Sequence, residues 1–137
     1  DIFSGWSDGP RAADASLPTA SAPVTLFITR ERREHANLFH ASTDLINAME
    51  ALHLAGVINA YDEGSRAGME NVQLVILDEH PEGPFDETLG KVLSPNFPVL
   101  RVHDFQAEAQ RHVVRFPRAV FAHPGYTNFM FVALFQR

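Results

Sequence analysis

Cysteine is absent from the whole 137-residue chain, so neither a disulfide nor a thiolate metal site can form within it. That absence suits a reducing or an oxidising compartment equally. No stretch approaches the roughly 20 uninterrupted apolar residues that a membrane-spanning helix needs, and no basic start precedes an apolar core as in a secretory leader. Cationic residues are also scarce. Eleven Lys and Arg face 17 Asp and Glu, for a formal charge of −6, and no basic cluster is interleaved with aromatic residues. Nucleic acid is therefore not an expected partner. The chain has no P-loop, no glycine-rich dinucleotide fingerprint, no G-x-S-x-G elbow, no H-E-x-x-H pair and no internal repeat. His40 and Asp44, at i and i+4, could supply two ligands, but with no H-E-x-x-H pattern no metal site is expected.

What remains is a chain that is 45% hydrophobic, enough for one domain with a true core and too short for two. Residues 1–23 are rich in Gly, Pro, Ser, Ala and Asp and read as an irregular leader or linker, with Trp6 as a docking point. Residues 24–137 form the expected domain. Val24 to Thr29 has the β-branched and aromatic content of a buried strand. Arg30 to Arg33 makes a charged connection, which for Arg32 and Arg33 reads as a solvated turn. Glu34 to Gly56 is the longest helix-like segment, with Gly56 at the position just past its end.

After a polar loop from Asn59 to Glu70, Val72 to Leu77 is apolar almost throughout, as in a parallel strand covered on both faces. Asp78, Glu79 and His80 follow at its carboxyl end, where open α/β sheets bind ligands. Phe85 to Leu93 suits a short helix with Phe85, Leu89, Val92 and Leu93 inward, broken by Pro95 and Pro98. Val99 to Val102 is a third strand. Residues 113–122, interrupted by Pro117, form a fourth extended segment near a sheet edge. This alternation predicts an α/β fold, a Rossmann-like three-layer domain with a mostly parallel sheet and right-handed crossovers. The chain opens at Asp1 and closes on the apolar run 129–135, as expected of part of a longer protein whose end meets a second domain or partner chain.

Within the long helix, Leu38, Ala41, Leu45, Met49 and Leu52 share one arc at about 100° per residue, extended by Phe39 and Ile46. Asn37, His40 and Asp44 gather beside that arc, placing an amide, an imidazole and a carboxylate on one edge. Such groups hold each other's orientation and charge state and so can carry acid–base chemistry. The alternative is an ordinary solvated face shared with Thr43, Asn47, Glu50 and His53. His80 gains interest from its strand-end position, and Tyr126, after Gly125, either lines a groove or follows a simple turn.

Phe27-Ile28-Thr29-Arg30-Glu31, Ala36-Asn37-Leu38-Phe39-His40 and Thr43-Asp44 resemble glycosyltransferase family 61, most of all its plant-type core β-1,2-xylosyltransferases. The similarity continues through Val75-Ile76-Leu77-Asp78-Glu79-His80 and through Val114, Phe116, Ala119, Val120 and Gly125-Tyr126, in order over residues 24–128. The resemblance implies inverting transfer of xylose or N-acetylglucosamine from a UDP-sugar donor to a protein-linked glycan or a protein hydroxyl, with no further cofactor. It also implies a GT-B fold of two facing Rossmann-like domains. This chain corresponds to the N-terminal, acceptor-side half, the lumen of the Golgi or endoplasmic reticulum being the implied location and any membrane anchor lying outside it. His40 and Asp44 are then the expected catalytic residues. Asn37, Asp78, His80 and Tyr126 are the expected substrate contacts. Arg33 and Arg115 stand where those xylosyltransferases carry cysteine, and Leu45 follows Asp44 where an aromatic residue is usual. The alternative is a non-catalytic interaction or structural module of the same fold.

Overall fold

A computed structural model describes residues 20–30, 36–59, 67–104 and 114–125. Val24–Ile28 forms β1 and Val72–Ile76 forms β2, both buried at every position, as strands packed on two faces must be. Leu100–Arg101 forms β3 and Ala119–Phe121 forms β4. All pairings are parallel, in the order β3-β2-β1-β4, so the mostly parallel sheet expected is wholly parallel among the described residues. The fourth extended segment does lie at an edge, with only residues 119–121 pairing as a strand beyond Pro117.

Register divides the sheet by side-chain alternation. Leu26, Leu74 and Val120 stand abreast. With Val24, Ile28, Val72 and Ile76 they form a core that also takes Ala48 and Leu52 from helix α1, Leu38–Leu54, and Leu89 and Leu93 from helix α2, Asp86–Leu93. The two helices thus share one sheet face, as two right-handed crossovers running in the same direction require. On the other face Phe27 stacks on Phe121 at 4.8 Å between ring centroids and meets Phe116 edge-on at 5.2 Å.

Helix α1 starts four residues later than the sequence pattern suggests. Asn37 caps it, its side-chain oxygen accepting the Phe39 N–H at 3.0 Å. At the far end Gly56, at φ 65°, takes the left-handed conformation expected just past a helix. The Gly56 and Val57 N–H groups donate to the carbonyls of His53 and Leu52, a Schellman closure. The guanidinium of Arg118 also donates to the Ala55 carbonyl.

The buried face of α1 departs from the apolar arc. Leu38 is 66% exposed and Ile46 55%, with Phe39 also exposed, whereas His40, Thr43, Asp44 and Asn47 are buried. Leu45 and Met49 are only partly covered. From His40 to Asn47 the polar edge has turned inward, where Asp44 and Asn47 hydrogen-bond the segment after β4, while Asn37 stays exposed at the cap. The solvated face suggested for Thr43 and Asn47 is corrected by the same rotation. Helix α2 keeps Leu89 and Leu93 inside but leaves Val92 outside, correcting its inner assignment; Gly90 is buried in its place, where a Cβ would come 2.7 Å from Val99. The expected leader reaches into the domain at its end, where Ala22 is buried and the Ala20 N–H donates to the Arg115 carbonyl at 2.8 Å. Trp6 and the run 129–135 lie outside the described residues.

Candidate functional site

Two polar constellations lie at the carboxyl edge of the sheet. The first is built on α1 where strand order reverses, with β1 between β2 and β4, the position at which open α/β sheets form a crevice. Asp44, 4% exposed, accepts the Gly125 N–H through Oδ1 at 2.9 Å. Asn47 donates through Nδ2 to the His123 and Pro124 carbonyls at 3.1 and 3.2 Å. Thr43 donates its hydroxyl to the His40 carbonyl at 2.8 Å. Gly125 lies so near that a Cβ there would fall 2.8 Å from Thr43 Cβ. The α1 edge therefore holds the backbone of residues 123–125 across the switch point, and Tyr126 follows immediately, outside the described residues.

The second constellation centres on Arg30, 2% exposed. All five guanidinium N–H groups have acceptors. Nη2 reaches Asp78 Oδ1 at 2.6 Å and the His80 carbonyl at 3.0 Å. Nε reaches Asp78 Oδ2 at 3.1 Å. Nη1 reaches Asp86 at 2.9 Å and the Pro81 carbonyl at 3.3 Å. The Arg30 backbone N–H donates to Asp78 Oδ2 as well, at 2.8 Å. Arg101, at the end of β3, pairs with Asp86 and donates to the His80 carbonyl at 3.3 Å. Asp78 and Asp86 also accept the N–H groups of His80 and Gly83 at 3.1 and 3.0 Å.

Burial disfavours charge at both members of the central pair. Its effect on Arg30 is outweighed by the hydrogen bonds and charges of Asp78 and Asp86, leaving the guanidinium pKa raised. For Asp78 the opposing hydrogen bonds and charge of Arg30, with the His80 N–H, leave the carboxyl pKa lowered. Both groups stay ionised.

Beside this network opens a cleft of about 400 Å³ lined by Asp78, Glu79, His80, Glu82, Arg101 and His103, together with Pro81 and Val102. Its volume suits a small-molecule ligand or one sugar unit with its neighbours. Of the residues singled out in the sequence, Asp78 and His80 meet here, although the Asp78 carboxylate is spoken for by Arg30. Asn37, His40 and Asp44 belong to α1, Asn37 as its cap and Asp44 as a clamp on Gly125. Sequence reasoning missed Arg30, Asp86 and Arg101. A cation directly after a buried strand could have found Arg30, and an acid just past Pro81-Glu82-Gly83-Pro84 could have found Asp86; for Arg101, inside the third strand, no local signal existed. Among the described residues no group of three His, Asp or Glu side chains is placed to hold a metal ion.

Together these features define a parallel α/β domain with a polar cleft at the carboxyl ends of its strands. No family model matches the chain, no curated protein matches it, and no solved structure matches it.

Proposed function

We propose that this chain is the acceptor-side domain of an inverting glycosyltransferase akin to family 61, taking xylose or N-acetylglucosamine from a UDP-sugar to a glycan or protein hydroxyl. The observation that carries this reading is the cleft beside β2 and β3. It combines imidazole, carboxylate and guanidinium groups at a strand edge, a set suited to the hydroxyls of a sugar. Within this reading His80, on the cleft wall, takes the proton from the acceptor hydroxyl. The oxygen then bonds to the anomeric carbon as the bond to UDP breaks on the opposite side, UDP leaving with the electron pair. Asp44, bonded to the Gly125 N–H, supports the 123–125 turn, and His40 is buried one turn earlier on the same helix.

The test is an NMR titration of the chain with an N-linked glycan acceptor, followed by transfer assays of the protein from its native source with His80→Asn. Shifts concentrated at residues 78–82 and 101–103, and a loss of turnover on the order of 10²-fold or more, are expected. A silent cleft at millimolar glycan, or full turnover in the variant, overturns the reading. The exposed Leu38, Phe39 and Ile46 on α1 favour one second reading, a non-catalytic module that covers this apolar strip with a partner. It predicts no carbohydrate affinity and a stable complex that Leu38→Gln with Ile46→Gln disrupts.

A further inference from the structure

The segment from Asp78 to Gly83 is the lip of the cleft, and its shape is imposed from below. Two guanidinium groups converge on one carbonyl, that of His80, from Arg30 at 3.0 Å and from Arg101 at 3.3 Å. The same two groups converge on one carboxylate, Asp86, at the start of α2. Arg30 is sealed beneath the lip, while Arg101 has one side on the cleft wall. Asp86 in turn holds the Gly83 N–H and Asp78 holds the His80 N–H. Both ends of the lip and its centre are thereby tied to the ends of three strands and one helix.

We propose that Arg101 is the positioning residue of this site, fixing the backbone of His80 through its carbonyl and so aiming the imidazole at a ligand in the cleft. Its placement at a strand end, bridging a helix-start carboxylate and a lip carbonyl, needs a planar fork with separate donors. A lysine ammonium is a single point charge that can keep the Asp86 pair but not both bonds in the same geometry. Arg30 secures the fold of the lip. Arg101 sets its final position, because it alone of the two also lines the cleft. The assignment rests on the cleft being the working site, although the lip geometry can be read without any activity.

The experiment compares the full chain with Arg101→Lys and Arg101→Gln by amide hydrogen exchange and by NMR of the His80 imidazole. The amides of His80 and Gly83 are the reporters, and those of Leu26 and Leu74 in the core are the reference. Exchange at His80 and Gly83 faster by about tenfold in both variants, with the core amides unchanged and the His80 ring resonances moved, is the expected result. Unchanged lip amides and an unchanged His80 ring in Arg101→Lys and Arg101→Gln overturn the positioning role. So does an equal loss of protection at lip and core, which marks Arg101 as a residue of general stability. Glycan titration of the same samples separates the two proposals. If the wild-type cleft takes no glycan while the lip responds as expected, the glycosyltransferase reading falls and the positioning role stands.

Discussion

Arg30 shows how much one side chain can be asked to do. A buried ion pair is a weak source of net stability, because desolvation offsets most of its Coulombic gain. Removing one partner is another matter. Arg30→Ala strips Asp78, only 6% exposed, of its guanidinium partner and leaves Asp86 with Arg101 alone, and is expected to cost about 3–5 kcal/mol in urea unfolding. At the other constellation, Gly125→Ala pushes a methyl into Thr43 and is expected to destabilise by about 1–3 kcal/mol. Thr43→Ala removes the nearer of the obstructing atoms. In a double-mutant cycle the pair should lose less stability than the two single changes added together; strict additivity would show that the close approach is not what makes glycine necessary. The need for glycine here was visible in the sequence only as a turn residue, since the obstacle lies 82 positions earlier.

At the level of the element, α1 illustrates the limit of apolar periodicity. The pattern correctly identifies a long helix and its Gly56 ending, both of which depend on residues within a turn or two of each other. The orientation of that helix depends on the loop after β4, whose carbonyls and N–H need partners when buried. Asp44 and Asn47 supply them, so the helix rolls toward its polar edge and leaves Leu38 and Ile46 outside. This arrangement makes a measurable distinction. Leu38→Gln and Ile46→Gln should each change stability by no more than about 0.5 kcal/mol in the isolated chain. Ala48→Leu, which adds volume at a fully buried site, should cost about 1–3 kcal/mol by thermal or urea unfolding. The reverse ranking would restore the apolar arc as the packed face.

For the whole molecule, the Arg30 network couples the fold to acid. Asp78 has a lowered pKa in the folded chain, so near the ordinary carboxylate range the unfolded state binds more protons. The pair's contribution is therefore present above about pH 4 and is lost as the pH falls through the folded value. Arg30 carries the opposite shift, raised above a value already beyond the working range, and its contribution is lost only in strong alkali. Urea unfolding followed from pH 7 down to pH 3 should show stability dropping below about pH 4, with the drop reduced in Asp78→Asn. An identical acid slope in that variant would assign the pH dependence to other carboxylates.

The chain's own order of residues determined the α/β class, the two fully buried strands, the long helix with its glycine end, and the placement of Asp78 and His80 at a strand's carboxyl edge. These follow from period, composition and turn chemistry, all carried by residues close together in the chain. Only the tertiary structure decided that Arg30 and Arg101 meet at one carbonyl, that Asp44 faces Gly125, and that the polar edge of α1 points inward. Those pairings join residues 21 to 81 positions apart, and it is the parallel sheet that brings its strand ends side by side. Once there, buried charges and backbone groups take whichever partners remove the cost of leaving water.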